Sequence, residues 1–156
     1  MSNLDSQPGA VVIITEESHS QFVVQRKDHK HPIPTCRGRI SLFGGSKEAA
    51  EDGAAALERE LDEELDLSKI SLLPVSWRSF HLPGNQYAGS YELEAFVCTL
   101  SGDEFTELAR QIVLPGVVLE GTGEVINREA LLQLLSNKDN FVASLEMILS
   151  AFLKEH

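Results

Sequence analysis

A chain of 156 residues, 42% of them hydrophobic and 24% charged, is long enough to bury one core and reads as a single domain over 1–156. Its formal net charge of -11 repels polyphosphate backbones and excludes general nucleic-acid binding. No apolar run approaches the ~20 residues that span a bilayer, and no basic stretch precedes the short apolar run Val11–Ile14, so the expectation is a cytoplasmic protein off the membrane.

In chain order, the β-branched runs Val11–Thr15 and Phe22–Gln25 predict a hairpin turned by polar Glu16–Ser20. The stretch from His29 to Arg39, with two prolines and a glycine, is a loop; Arg39–Phe43 follows as a brief strand ending in Gly44-Gly45. Ala54, Leu57, Leu61 and Leu65 recur at helical spacing and predict a helix over Ala49–Leu65. Leu72–Phe80 and Tyr91–Leu100 read as strands separated by the turn cluster Leu82-Pro83-Gly84-Asn85. Val117–Leu119 and Glu124–Ile126 are short strands around a Gly121–Gly123 loop. Asn127 caps a helix running to Leu135. Phe141, Leu145, Ile148, Leu149 and Phe152 form the apolar stripe of a last helix. Strands mixed with three helices predict an α/β sandwich. Cys36 and Cys98 stand far apart in no metal-like spacing and are expected as reduced, packed thiols.

The acidic charge is uneven. Between Glu48 and Asp66 lie nine carboxylates against the single cation Arg59. Such a run is ordinarily a solvated helix face, but here the spacing adds chemistry. Glu60, Glu63 and Glu64 stand at i, i+3 and i+4 and share one helix face. Leu57, Leu61, Ala54 and Leu65 form the neighbouring apolar face. Three carboxylates side by side repel each other, and a hard, oxygen-seeking cation such as Mg2+ (or Mn2+) would neutralise them, most strongly with a phosphate to share the coordination. Gly44-Gly45 leads toward this helix and lets backbone approach a metal or phosphate closely.

The segment Gly45–Leu67 resembles the Nudix box, G-x5-E-x7-R-E-U-x-E-E-x-G-U with U a bulky aliphatic residue. Gly45 opens it, Glu51 follows, then Arg59-Glu60-Leu61, Glu63-Glu64 and Leu67; only Asp66 departs, standing in place of the second glycine. The resemblance implies a Nudix-type α/β/α sandwich with a mixed sheet, and metal-assisted attack of water on a pyrophosphate linkage. It implies Glu60, Glu63 and Glu64 as metal carboxylates, Gly45 as a carbonyl ligand, and Arg59 as the residue orienting them through Glu51. Gly44 and Arg26, at the end of the second strand, are the expected substrate contacts. Asp66 is expected to end the helix in the left-handed conformation that glycine prefers, a structural change rather than a loss of activity.

A general base is needed outside the metal-occupied trio. Several Nudix relatives carry a Glu-Gly loop there, which makes Glu120 the first candidate; Glu92 and Glu94 come second, with the solvent face of a strand as their plain alternative. Leu82-Pro83-Gly84 is faintly similar to ADP-ribose hydrolases. Trp77, Phe80, Tyr87 and Tyr91 are aromatic groups for a base to stack on or for the core to absorb. The expected substrate is a small nucleotide: a nucleoside diphosphate linked to another group, of ADP-ribose or nucleotide-sugar type. The alternatives are a nucleoside triphosphate pyrophosphohydrolase of the nucleotide pool, and a non-catalytic Nudix-fold binding module. The sequence leaves a homodimer open.

Overall fold

The computed structural model describes residues 8–67, 70–83 and 89–156. Strand β1 (Gly9–Glu16) is the centre of a mixed sheet. It runs parallel to β6 (Tyr91–Leu100) and antiparallel to β2 (Gln21–Arg26) and β4 (Phe43–Ser46). Outward from this centre, β2 pairs with β3 (Ile40–Ser41) and β7 (Thr122–Asn127), while β5 (Val75–Leu82) pairs with β6 at the far edge. Seven of β1's eight residues are buried, as a strand covered on both faces must be.

Alternation along β1 divides the core in two. Ala10, Val12 and Ile14 point toward α1 (Gly53–Glu64) and α2 (Gly102–Ile112), joining Ala56, Leu57, Phe105, Leu108 and Ile112. Val11 and Ile13 point the other way, toward α3 (Arg128–Leu134) and α4 (Glu146–Glu155), joining Leu131, Ile148, Leu149 and Phe152. The result is the α/β/α sandwich of a mixed sheet expected from the sequence. No helix among the described residues is long and apolar enough to cross a membrane.

Several boundaries move. The first helix starts at Gly53, because Asp52 caps it by accepting from the Ala55 amide (2.8 Å), leaving 49–52 outside. The strand expected over Arg39–Phe43 divides at Leu42 into β3 and β4, and Gly44-Gly45 lies inside β4 rather than ending a strand. The strand expected over Leu72–Phe80 begins at Val75 and runs on to Leu82, which is buried in the sheet and not part of a turn. Val117–Leu119 makes only an isolated bridge, Val118 to Leu65, and Phe141 and Leu145 precede the last helix rather than belonging to it. Among the described residues there are four α-helices, not three; α2 is the one the sequence reading lacks. Its signature is plain in retrospect, since Ser101 and Glu104 form a reciprocal capping box ahead of Phe105, Leu108 and Ile112.

Asp66 also corrects an expectation. It is not left-handed; its φ is negative. Helix α1 passes at Leu65 straight into extended backbone (φ -126, ψ 135), and the Asp66 amide donates to Val117 O (2.8 Å). Pairing with 117–119 replaces the left-handed cap, so no glycine is required there.

The expected aromatic contacts are structural where they are described. Trp77 packs edge-on against Phe152 and beside Phe80, with the Arg78 guanidinium over its ring, and the Tyr91 hydroxyl donates to Ala143 O. Tyr87, Gly84 and Asn85 lie outside the described residues. Cys36 and Cys98 are free thiols whose pKa values burial pushes up.

Candidate active site

The site grows from the contact of β4 with α1. Gly44 has φ +136, and a side chain there would begin 2.1 Å from Ala10 O, so only glycine fits. This backbone turns the Gly44 amide toward α1, where it donates to the Glu64 carboxylate (2.8 Å). At Gly45 a methyl group would lie 2.5 Å from the Glu60 carboxyl carbon. The two glycines thus let two carboxylates of α1 lie directly on β4.

Glu64 is only 6% exposed. Burial pushes its carboxyl up to about 7, against the opposing pull of the Gly44 amide and Lys27, while the charges of Glu60 and Glu120 raise it further. Glu60 is raised in the same way, by burial first, with Arg59 opposing and Glu63 and Glu120 adding. Glu63 is exposed on the rim.

Arg59 braces the entry to the helix. Its Nε and Nη2 grip Glu51 in a two-pronged pair at 2.8 and 3.0 Å, and Nη2 also donates to Ser46 O (2.9 Å). Its Nη1 reaches Glu60 at 3.1 Å and Glu63 at 3.5 Å. The Arg59 hydrogen bond is the main cause holding the Glu51 carboxyl down to about 2, and the same bond raises the guanidinium. Glu51 in turn accepts from the Glu48 amide (2.7 Å), so one cation ties the 46–51 loop to the carboxylate face.

Glu120, 56 residues beyond Glu64, joins the group. The Leu119 amide donates to Glu64 O (2.9 Å), and Gln25 Nε2 donates to Glu120 O (2.5 Å), while the Gln25 Oε1 is buried with no hydrogen-bond partner. The other base candidates belong to β6. Glu92 sits near His81 (3.7 Å) on the β5–β6 ribbon. Glu94 accepts from Ser76 Oγ (2.8 Å) and fills the space beside Gly53, where a methyl group would meet its carboxylate. Arg26 is on the opposite face of the sheet from α1, with Phe22 and Val24. Its guanidinium is engaged by Glu124, through Nε and through Nη2 at 3.0 Å, and by Gly38 O at 2.9 Å. The cation on the carboxylate side is instead Lys27, which the sequence analysis passed over; its period-two relation to buried Val23 and Gln25 was the available signal.

The family model for the NUDIX domain matches residues 5–132. The chain belongs to the NUDIX family. Members of this family are hydrolases acting on phosphoanhydride bonds. The solved structures agree on the fold of this Nudix domain. It covers 94% of the MutT protein from Methanosarcina mazei Go1 (TM-score 0.64, 15% identity, 96% of this chain). It covers 42% of a bifunctional NMN adenylyltransferase/ADP ribose pyrophosphatase from Francisella tularensis complexed with AMP and Mn ion (TM-score 0.64, 14% identity, 96% of this chain). It covers 98% of the C. elegans Ap4A hydrolase (TM-score 0.55, 16% identity, 95% of this chain). No curated protein sequence matches the chain.

The donor chemistry of the Nudix site fits a divalent cation. Its acidic side chains are hard oxygen donors; Glu64 is buried with its ionised form disfavoured, and Glu60 and Glu120 add like charge, which a cation would relieve. Among the described residues no three such side chains are gathered at coordinating distance. Arg59 holds Glu60, and the Gly44 amide holds Glu64, so both carboxylates are engaged by donors with which an ion would compete.

Proposed function

We propose that this Nudix hydrolase cleaves the pyrophosphate linkage of a nucleoside diphosphate joined to another group, of ADP-ribose or nucleotide-sugar type. The observation that carries the reading is buried Glu64, set under the Gly44 amide with Glu60 alongside and the Glu120 segment bonded to its backbone. The names of two structural neighbours, an ADP ribose pyrophosphatase and an Ap4A hydrolase, both describe a phosphoanhydride joining a nucleoside to a second moiety, which supports the same class.

Glu60, Glu63 and Glu64 would hold Mg2+ or Mn2+, with the Gly45 carbonyl as a further donor. Bound there, the metal would supply Lewis acidity toward the phosphoryl oxygens and acidify water. Arg59 and Glu51 orient the carboxylates. Glu120, exposed and outside the trio, takes the proton of the attacking water. Gly44 contributes its amide, held on Glu64, while Arg26, on the opposite face of the sheet and paired with Glu124, is not the phosphate contact expected of it.

The test is a panel of nucleoside diphosphate sugars, dinucleotides and nucleoside triphosphates with Mg2+ or Mn2+, reading nucleoside monophosphate and inorganic phosphate separately. Hydrolysis of the linked diphosphates is expected; pyrophosphate release from triphosphates alone would replace the substrate class. Glu120→Gln should lower kcat by roughly 10²–10⁴-fold with little change in KM, the loss typical of a general base. Near-normal kcat there, with loss in Glu92→Gln or Glu94→Gln, would move the base to β6.

A further inference from the structure

We propose that Lys27 and Arg39 form an anion subsite beside the carboxylate platform, which receives a phosphate of the substrate additional to the diphosphate that is cleaved. The inference rests on the proposed reaction and deepens it.

Of thirteen lysines and arginines, five (Arg26, Lys27, Lys30, Arg37 and Arg39) fall within 26–39, beside the single acid Asp28. That segment is therefore +4 (five minus one) in a chain of -11.

The backbone then sorts these cations. Cys36 to Arg39 make a type II turn: Arg37 has φ -61 and ψ 125, Gly38 has φ +68, and the Arg39 amide donates to Cys36 O (3.1 Å). The turn runs into a glycine bulge. The Gly38 amide donates to Lys27 O (3.1 Å) and the Lys27 amide to Arg39 O (2.9 Å), so Gly38 and Arg39 together oppose Lys27. Beyond the bulge, Arg26 pairs with Ile40 and Gln25 with Ser41. Lys27 alternates with Gln25 and Val23, and Arg39 with Ser41 and Phe43; Val23 and Phe43 both belong to the core under α1. Lys27 and Arg39 are thus a cross-strand pair on the α1 face.

Two like charges opposite each other destabilise a sheet. Arg26 answers this with Glu124, but among the described residues no carboxylate lies within 4.0 Å of Lys27 or Arg39. Both are half-buried, so water screens them only in part. The acids stop just short of them. A side chain at Gly121 would begin 2.2 Å from Arg26 O and 3.4 Å from the Asp28 amide, which sets the Glu120-Gly121 backbone against the base of the loop. Carboxylate platform, Glu120 and the Lys27–Arg39 pair therefore form one continuous strip. A substrate whose diphosphate lies over the platform reaches the pair with its next anionic group. A phosphate monoester or terminal phosphate, with about two negative charges and three acceptor oxygens, matches two adjacent cations.

The experiment compares substrates that differ by one phosphate: a nucleoside triphosphate against its diphosphate, and a nucleoside diphosphate sugar with and without a phosphate monoester. Lys27→Ala and Arg39→Ala should each raise KM for the phosphate-bearing member about 10-fold more than KM for its partner, the size of one charge-assisted hydrogen bond, whatever change in kcat the two members share. Lys27→Arg should restore it. The pair that shows this dependence identifies the source of the phosphate. Equal effects on both members, or none, overturn the subsite while leaving the proposed reaction intact. A chain that cleaves nothing overturns the reaction, and inorganic phosphate then decides the subsite. Titrated into wild-type protein with excess chelator, it should shift the backbone amide resonances of 26–39 saturably, with about 10-fold weaker binding in Lys27→Ala. No saturable shift, or a shift indifferent to the substitution, overturns the proposal.

Discussion

Gly44 and Gly45 are neighbours held to glycine by different constraints. At Gly44 the backbone itself forbids a side chain, through a positive φ and the approach of Ala10 O. Gly44→Ala is expected to destabilise the fold by about 1–3 kcal/mol, the cost of a strained backbone position. At Gly45 the obstacle is the flexible end of Glu60. Gly45→Ala should therefore fold with nearly unchanged thermal stability yet lose activity, because the displaced carboxylate leaves the face proposed to hold the metal. Equal losses of stability in the two variants would refute this division. Asp66 gives a second contrast. With its φ negative and its amide paired to Val117 O, glycine brings no relief of strain. Asp66→Gly should lower stability by about 0.5–1 kcal/mol through added freedom of the unfolded chain, with turnover intact. A rise in melting temperature would restore the left-handed reading.

At the scale of elements, the helix that carries the carboxylates was legible in its sequence, and the helix that supports it was not. Helix α1 announces itself by Ala54, Leu57 and Leu61 and by the box. Helix α2 follows β6 with no loop between them, so Leu100 ends one element and Ser101 caps the next. Its buried Phe105, Leu108 and Ile112 fill the core beneath α1. Removing the cap with Ser101→Ala should cost about 1 kcal/mol, and so about 2–4 °C in melting temperature for a chain of this size. Catalytic constants at 25 °C should hold, since α2 bears none of the site's side chains. The segment at 117–121 escaped for a different reason: its order comes from Leu65, Asp66 and Gln25, all distant in sequence.

For the whole molecule, the site is a local cost that a ligand repays. Glu64 ordinarily titrates near 4.5 and in the folded chain near 7. Between those values the folded state keeps a proton that the unfolded state has released, so the Glu64 contribution to stability falls as pH rises from about 4.5 to about 7 and is level above that. Glu60 shifts in the same direction; Glu51, held down to about 2, contributes stability that disappears only as pH falls below about 4.5. In metal-free protein, Glu64→Gln should therefore gain melting temperature relative to wild type as pH rises through that window. Mg2+ at 100 times its Kd should stabilise wild type by about 2.7 kcal/mol, roughly 5–10 °C. The variant should gain much less. A difference between the two proteins that is flat across the window would show that Glu64 is not the group that titrates.

What the sequence by itself determined was periodic or local. The spacing of Glu60, Glu63 and Glu64 is a property of helix geometry, and the box needs only 23 consecutive residues to declare a family and its chemistry. The pairing of Arg59 with Glu51 was open to expectation because both belong to that same segment. Tertiary structure alone decided the face on which each strand residue stands and what it meets there. It turned Arg26 away from α1 onto Glu124 and left Lys27 opposite Arg39, because a single residue's step along β2 exchanges the two sides of the sheet. It also brought Glu120 to Glu64, because an extended exit from α1 pairs with a segment more than 50 residues further on, and no local preference encodes that partner.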